Sequence, residues 1–563
     1  MSKRVGSREV DFVTLMLKRA LSGLKAEFCE QCGKCTAVCP ISQLNEGFNS
    51  RLIVAKVQLG RVDELIKSDT IWKCASCLKC KDVCSAELSP YDIILILRKL
   101  AANAGYDYSQ RYPKFIEELR AVQQIGSKSV LVVGGGIAGI QASLDLADRG
   151  FTVHLVEKSP SIGGVMAQLD KTFPTMDCSI CILAPKMMEC FRHPNIVLHT
   201  LSEVAGVTGS VGAFHVKIAE KPRYVDASKC TGCGTCMEKC PVRVPSEFQA
   251  GLETRKAIYI AFPQAVPRVA SIDSEHCLYF QKGVCRVCEK FCQAGAINYE
   301  QQQKETTVDV SSIIIATGFT QYNPQEIGEY GYKRFRDVIT GLEFERLICA
   351  SGPTGGKLER PSDHRVAHRV AFVQCVGSRS QRIGFPYCSS VCCMYATKNG
   401  LLIKEHDPES EVAIFYNDLK VFGKGFQGFI DRARHEWGIK YIRSRPGEIR
   451  ENSLTKDLTI WYEDTDRGEV GKTAVDLVVL CATMIPRPEN KKLADVLGVE
   501  LDEFGFFKVQ DPVSNPLETN VPGIYVCGSC HSPRDIPESV AEASAAAAKV
   551  AENTQTTVVR WEG

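Results

Sequence analysis

A multidomain α/β architecture is predicted for this chain of 563 residues: a small helical module, then two βαβ domains of the dinucleotide-binding type, the first interrupted by an α+β insertion. Three observations lead there. Cysteines spaced C-x2-C-x2-C-x3-C occur three times, and a fourth quartet has only its first gap lengthened. A glycine turn, Gly134-Gly135-Gly136-Ile137-Ala138-Gly139, stands between an apolar strand and a helix. A second strand–turn–helix–strand unit follows, with cysteines where its turn needs glycines. A chain this long is expected to bury several separate cores.

The four quartets are Cys29, Cys32, Cys35 and Cys39; Cys74, Cys77, Cys80 and Cys84; Cys230, Cys233, Cys236 and Cys240; and Cys277, Cys285, Cys288 and Cys292. That spacing folds a short loop around a [4Fe-4S] cubane so that thiolates bind its irons. Zinc knuckles use two separated CxxC pairs, and disulfide frameworks do not repeat this comb. An electron-carrying iron–sulfur protein is therefore expected. The net charge of +2 gives no pull towards nucleic acid or an anionic membrane. Val10 to Leu24 reads as an amphipathic helix. Asp11, Lys18 and Arg19 interrupt it, so it is neither a signal sequence nor a membrane span. With 27 cysteines and no export signal, a reducing cytoplasm is the expected location, and accessible clusters suggest anaerobic life.

Between the first two quartets, Asn49 to Ile71 reads as helix from its apolar spacing, and a second helix is expected over Tyr91 to Asn103. Ser129 to Val133 is an apolar strand leading into the glycine turn; a helix and the strand Phe151 to Val156 follow, ending at Glu157. Strand, glycines, helix, second strand and acid together form the dinucleotide fingerprint. Gly134, Gly136 and Gly139 let the backbone approach a pyrophosphate at the helix N-terminus, and Glu157 is the expected ribose ligand.

Gly163 and Gly164 after that acid, Ala316-Thr317-Gly318 after the strand Ser312 to Ile315, and Gly523 to Gly528 near the end resemble the disulfide-oxidoreductase flavoproteins, of thioredoxin reductase type. The resemblance implies FAD at the first fingerprint, with Thr317, Gly318 and Gly528 near the cofactor. It also implies a helix starting near Pro537 and Glu538 whose positive end favours a reduced, anionic flavin. The family usually carries aspartate after the late glycine; this chain has Ser529.

A pyridine-nucleotide flavoprotein needs a second glycine fingerprint after the strand Val370 to Val373. Here Gln374-Cys375-Val376-Gly377-Ser378-Arg379 and the run Tyr387 to Tyr395 take its place, ahead of a helix through Lys404 and the strand Val412 to Tyr416. Cys375, Cys388, Cys392 and Cys393 thus sit where the nicotinamide cofactor's pyrophosphate would bind. A fifth cubane is expected there, with buried structural thiols as the other reading.

That block, with the stretches Asp177 to Met187, Arg255 to Tyr259, Pro263 to Pro267 and Phe422 to Gly425, closely resembles the A-type subunit of heterodisulfide reductase over roughly Lys128 to Val550. Residues 1–100 resemble the C-type subunit of the same complexes and the helical two-cluster ferredoxin type. In two-cluster ferredoxins the last cysteine of each comb ligates the other cluster. The resemblance therefore implies Cys29, Cys32, Cys35 with Cys84; Cys74, Cys77, Cys80 with Cys39; Cys230, Cys233, Cys236 with Cys292; and Cys277, Cys285, Cys288 with Cys240. Expected boundaries are a helical two-cluster module (1–100), a linker (101–127), the FAD-binding domain (128–224, 299–365 with the crossover, and 501–563), an inserted two-cluster ferredoxin (225–298), and a degenerate nucleotide-binding domain carrying the fifth cluster (366–500).

Five clusters take 20 of the 27 cysteines. For Cys178 and Cys181, a flavin-facing dithiol, a share in a cluster and packing are all open. Cys190, Cys349 and Cys481 read as core. Lys398 either points towards the flavin, as a catalytic group near N5, or is a solvated helix lysine. The resemblance implies an FAD and iron–sulfur electron hub of a soluble complex, coupling a two-electron donor to ferredoxin and a disulfide or other acceptor by electron bifurcation. Implied partners are a B-type heterodisulfide reductase chain, a hydrogenase, formate dehydrogenase or other donor module, and ferredoxin; a dimer is left open. The rivals are a plain relay component of a quinone-interacting oxidoreductase and an NAD(P)H-dependent disulfide reductase using Cys178 and Cys181.

Overall fold

The computed structural model describes residues 24, 26–44, 47–74, 77, 79–84, 86, 88–106 and 129–556. The amphipathic stretch read at Val10 to Leu24, except Leu24, and most of the 101–127 linker lie outside them. The chain divides into two compact units, Met1–Ile125 and Gly126–Gly563.

In the first unit the single helix expected over Asn49 to Ile71 is broken into α1 (Ser50–Gln58) and α2 (Val62–Ile66). Asn49 caps α1 by accepting from Leu52 N at 2.8 Å. Gly60, at φ +70°, ends it: Gly60 N donates to Val57 O and Arg61 N to Lys56 O, a Schellman stop. Helix α3 (Pro90–Asn103) begins at Ser89, whose hydroxyl accepts from Asp92 N, with Pro90 in the first turn. Ile53, Val54, Leu65, Ile71, Ile93, Leu97 and Ala101 form the core. The core thus extends past residue 100, since α3 runs on to Asn103.

The second unit carries two five-stranded parallel sheets. In chain order come β1 (Ser129–Val133), α4 (Ile137–Asp148), β2 (Thr152–Glu157), α5 (Ser179–Arg192), β3 (Ile196–Thr200), β4 (Ser312–Ile315), β5 (Val338–Thr340), α6 (Gly341–Ile348), β6 (Arg369–Val376), α7 (Cys392–His406), β7 (Glu411–Tyr416), β8 (Lys440–Arg443), β9 (Leu477–Ala482), β10 (Ile524–Val526) and α8 (Ile536–Thr556). The first sheet runs β10-β4-β1-β2-β3 and the second β5-β9-β6-β7-β8. Four of the five β1 residues are buried, as expected of a central parallel strand covered on both faces.

Two expected limits shift. Val338–Thr340 pairs in parallel with β9, so the second domain takes in a strand well before residue 366. The helix Asn490–Leu497 buries Ala494 and Leu497 with Phe214, Ile313 and Ile524, in the first domain's core rather than the second's. The insertion leaves the first domain between two antiparallel strands, Ala213–Glu220 and Lys304–Val310. Its ends meet at the bridge Val225–Ile297, so adjacent strands can carry it without disturbing the sheet. Arg223 ties it down, donating to Ser271 Oγ (2.8 Å), Pro160 O (3.0 Å) and Thr200 Oγ1 (2.7 Å). Among the described residues no helix is long and apolar enough to cross a membrane.

Candidate functional site

The first cradle forms where β1 ends. A Cβ on Gly134 (φ +112°) would stand 2.4 Å from Ala316 O, and one on Gly139 would stand 1.8 Å from Gly134 O, so packing alone demands both glycines. Gly136 differs: a Cβ there meets no protein atom within 4 Å, leaving open space at the N-terminus of α4. Helix-end N–H groups and open space suit a pyrophosphate. Gly163 N donates to Gly135 O at 2.7 Å, and a Cβ on Gly164 would come within 2.9 Å of Gly136 Cα, which brings the second glycine pair against the turn. Glu157 accepts from Gly135 N (2.7 Å) and Ser159 N (2.8 Å), so its carboxylate also braces the turn.

Gly528, at φ +69°, packs towards Ala138 of α4. Its N–H donates at 2.9 Å to Glu542 on α8, which also binds His531 Nε2 (2.9 Å) and Arg534 Nε (2.6 Å). One carboxylate therefore holds the segment between β10 and α8. Glu538 turns back to accept from Asp535 N (3.0 Å), while Asp535 accepts from Glu538 N (2.8 Å). This reciprocal cap starts α8 at Ile536, with Pro537 next, and it commits Glu538 to the helix end. Ser529 donates to Arg534 O within its own loop. Thr317 O accepts from Arg487 Nε, and Gly318 follows at φ +71°.

The quartets gather across combs. Cys29, Cys32, Cys35 and Cys84 line one cavity. Burial pushes the Cys80 thiol up to about 12, and the neighbouring thiols of Cys74, Cys77 and Cys39 push the same way. In the insertion, Cys240, Cys277, Cys285 and Cys288 line a second cavity. Burial likewise raises Cys236 to about 12, beside Cys230, Cys288, Cys233 and Cys292. Cys80 and Cys236 thus resist ionisation alone; a cationic iron core would relieve them and release their protons.

The fifth quartet occupies the turn after β6. The ladder slips between Val373 and Val376, and Cys375 takes φ +59°. Cys392 lies within hydrogen-bond reach of both Cys375 and Cys393, and Cys388 is their neighbour. The bond from Cys392 lowers Cys375 to about 6 against the effect of burial, with Arg445 and Arg379 adding to the lowering. Ser390 N donates to Cys388 Sγ and Lys420 N to Cys393 Sγ, both at 3.4 Å. The buried Gln374 Nε2 has no partner. Four thiols, aimed donors and the start of α7 fit an anionic cluster. Where a nicotinamide cradle needs open glycine, a Cβ on Gly377 would meet the Tyr322 ring at 2.6 Å.

Lys398 is not a solvated helix lysine: it is buried and ion-paired to Glu345 of α6. Glu345 Oε2 also accepts from Asp170 N at 3.0 Å. Asp170 is raised by burial and then by Glu345. Cys178 and Cys181 are joined as a disulfide at the start of α5, with Cα atoms 5.3 Å apart. Cys190, Cys349 and Cys481 are buried. Cys527 and Cys530 face different cores and do not form a pair. Sequence reasoning does not find Glu345 or Glu542. Glu345 meets Lys398 across 53 residues with no local signal, whereas Glu542 lies one helix turn past the capping box and is within reach of the helical period.

The model of the pyridine nucleotide-disulphide oxidoreductases matches residues 128–547, and that of 4Fe-4S dicluster domains matches residues 28–89. The chain belongs to the pyridine nucleotide-disulphide oxidoreductase family. Its curated relatives include A subunits of heterodisulfide reductases. The iron–sulfur A subunit of the CoB–CoM heterodisulfide reductase of Methanocaldococcus jannaschii is 52% identical over 423 residues, 75% of this chain and 64% of the relative. The A subunit of the H2:CoB-CoM heterodisulfide,ferredoxin reductase of Methanothermobacter marburgensis is 49% identical over 439 residues, 78% of this chain and 66% of the relative. The chain thus spans slightly less than two thirds of the length of these relatives. Among solved structures, Lactococcus lactis thioredoxin reductase is 16% identical, covering 77% of this chain and 99% of that one with a TM-score of 0.42. The family domain implies FAD and the dicluster domain implies iron–sulfur clusters.

Proposed function

We propose that this chain is the FAD and iron–sulfur hub of a heterodisulfide reductase-like complex and divides electron pairs between a high- and a low-potential route. The observation that carries this reading is the fifth cysteine quartet in the turn where a second dinucleotide cradle would stand, in a chain that keeps the first cradle intact. Such a chain receives electrons through clusters rather than from a nicotinamide.

Bound FAD supplies the exchange between paired and single electrons, and cubanes carry one each. Gly134, Gly136 and Gly139 would admit the pyrophosphate, Glu157 would meet the adenosine ribose, and Gly163, Gly164, Thr317, Gly318 and Gly528 would border the cofactor. Each ferredoxin-like module would hold two clusters with its fourth ligands exchanged, as the shared cavities support. Lys398 would stand near the flavin ring, its charge held by Glu345. Cys178 and Cys181 would form an accessory redox pair.

The names of the relatives mention CoB–CoM heterodisulfide, ferredoxin and H2. By analogy the partners here would be a B-type heterodisulfide reductase chain, a hydrogenase or formate dehydrogenase module and ferredoxin. Anaerobic purification of the native complex would identify them. In that complex ferredoxin reduction should require the high-potential acceptor, because the uphill electron leaves only when its partner goes downhill. Equal ferredoxin reduction with and without the acceptor would reject electron division and favour the relay reading.

A further inference from the structure

The fifth quartet has a charge environment that its cysteines alone do not create. Cys375, Cys392 and Cys393 are 5%, 2% and 2% exposed, so any cluster they hold keeps its negative charge largely out of water. Burial disfavours the more negative, reduced form of a cluster, while nearby cations and hydrogen bonds to sulfur favour it. Arg445 points its guanidinium at the turn: Nη2 donates to Cys375 O at 3.2 Å and to Ser378 O at 2.7 Å. Among the described residues no carboxylate pairs with it, so its charge is not cancelled locally. Arg379, half-buried on the same turn, is tied to Asp418 at 2.7 Å and contributes less net charge.

We propose that Arg445, assisted by Arg379, holds the reduction potential of the cluster at Cys375, Cys388, Cys392 and Cys393 above the value that burial alone would leave it. The inference rests on the reading that those four cysteines ligate a [4Fe-4S] cluster. Through Arg445 the site becomes an accessible single-electron acceptor despite its depth. Because much of the Arg445 side chain is exposed, its influence should be screened by salt.

The test is an EPR-monitored potentiometric titration of the full-length protein, prepared anaerobically, with Cys388→Ala identifying the signal that belongs to this cluster. At the potential where the unchanged protein is half reduced, Arg445→Met should lower the reduced-to-oxidised ratio at least threefold, which for one electron is about 28 mV. Arg445→Lys keeps the charge and loses the two-carbonyl fork; it should stay within that limit. The midpoint of the unchanged protein should also fall as salt is raised, and that of Arg445→Met should not. A change below threefold with iron retained overturns the proposal, as does a lysine variant that behaves like methionine. Should Arg445→Met lose iron, Arg445→Gln, which removes the charge but keeps a donor for the carbonyls of Cys375 and Ser378, is titrated against the same threshold, and a change below it overturns the proposal equally. Full iron in Cys388→Ala would instead remove the cluster reading underneath.

Discussion

Lys398 of α7 and Glu345 of α6 form an ion pair inside the second domain, with side chains only 2% and 4% exposed. Glu345 spends its other oxygen on Asp170 N, so the lysine, the acid and the segment leading to Cys178 form one connected polar cluster. Removing one partner of a buried pair leaves the other charge uncompensated, at a cost of about 3–5 kcal/mol. Glu345→Gln is expected to destabilise the second domain by that amount. The double variant Lys398→Met, Glu345→Gln should recover most of the loss. Urea transitions read by tryptophan fluorescence would decide it, and a double variant as unstable as the sum of the two single variants would argue against the pair.

The cysteine assignment predicts iron content. Five quartets of four irons give about 20 irons per chain beside one FAD. Cys388→Ala or Cys392→Ala should lose about four of them while flavin stays stoichiometric, because the first cradle lies in another sheet. Anaerobic iron and flavin analysis of a fully loaded preparation checks both numbers; a ceiling near 16 irons would leave one quartet without a cluster.

How much of this is legible in the sequence depends on the range of the interaction. The strand, glycine turn and helix over 129–148 are legible because apolar period and turn chemistry are local, and the structure follows them within a residue. The cysteine combs are legible for the same reason. The break at Gly60 is hidden because the apolar period of Leu52 to Ile66 runs across it, although an exposed glycine with left-handed φ stops a helix whatever its neighbours. Val338–Thr340 has three residues, too few for a period, and is a strand only through its pairing with β9. Glu345 finds Lys398 only after two helices pack.

Glycine substitutions should separate fold from cofactor. Gly139→Val puts a side chain into Gly134 O and should unfold the turn. The Cβ of Gly136→Val meets no protein atom within 4 Å, so the fold should survive while the pyrophosphate space is filled. The expected result is a folded Gly136→Val protein with its 28–89 module loaded and its FAD absent. Stoichiometric FAD in that variant would move the cradle elsewhere.

Glu542 gives a pH dependence of known sign. Burial opposes its ionisation, but His531 and Arg534 outweigh burial and lower its pKa. A carboxylate depressed in the folded state stabilises above its unfolded pKa, about 4.3 for glutamate, and that stability is lost as pH falls through the lower folded value. The loop at Gly528 should therefore loosen on acidification from about pH 4 downwards, releasing FAD. Glu542→Ala should release FAD more readily already at neutral pH and show no further acid step from this group. Flavin fluorescence against pH, with and without the substitution, reads both effects.

The last prediction concerns the electron source. NADH and NADPH should not reduce the isolated chain rapidly. A nicotinamide cofactor needs N–H groups around an open glycine turn to hold its pyrophosphate. Here the corresponding turn carries Gln374 to Arg379; Gly377 is packed against Tyr322, and Cys375, Cys392 and Cys393 fill the approach to α7. Arg379 is engaged with Asp418 and Arg445 with the carbonyls of Cys375 and Ser378, so neither cation at the turn is free to meet a phosphate. A single-electron donor of low potential should instead bleach the flavin and cluster absorbance of the same preparation, since the quartets reach the surface at Cys32 and Cys233. Stopped-flow mixing with NADH, NADPH and a one-electron reductant distinguishes the routes. Fast bleaching by NADH would revive a self-sufficient disulfide reductase and would remove the reason for reading the second turn as a cluster site.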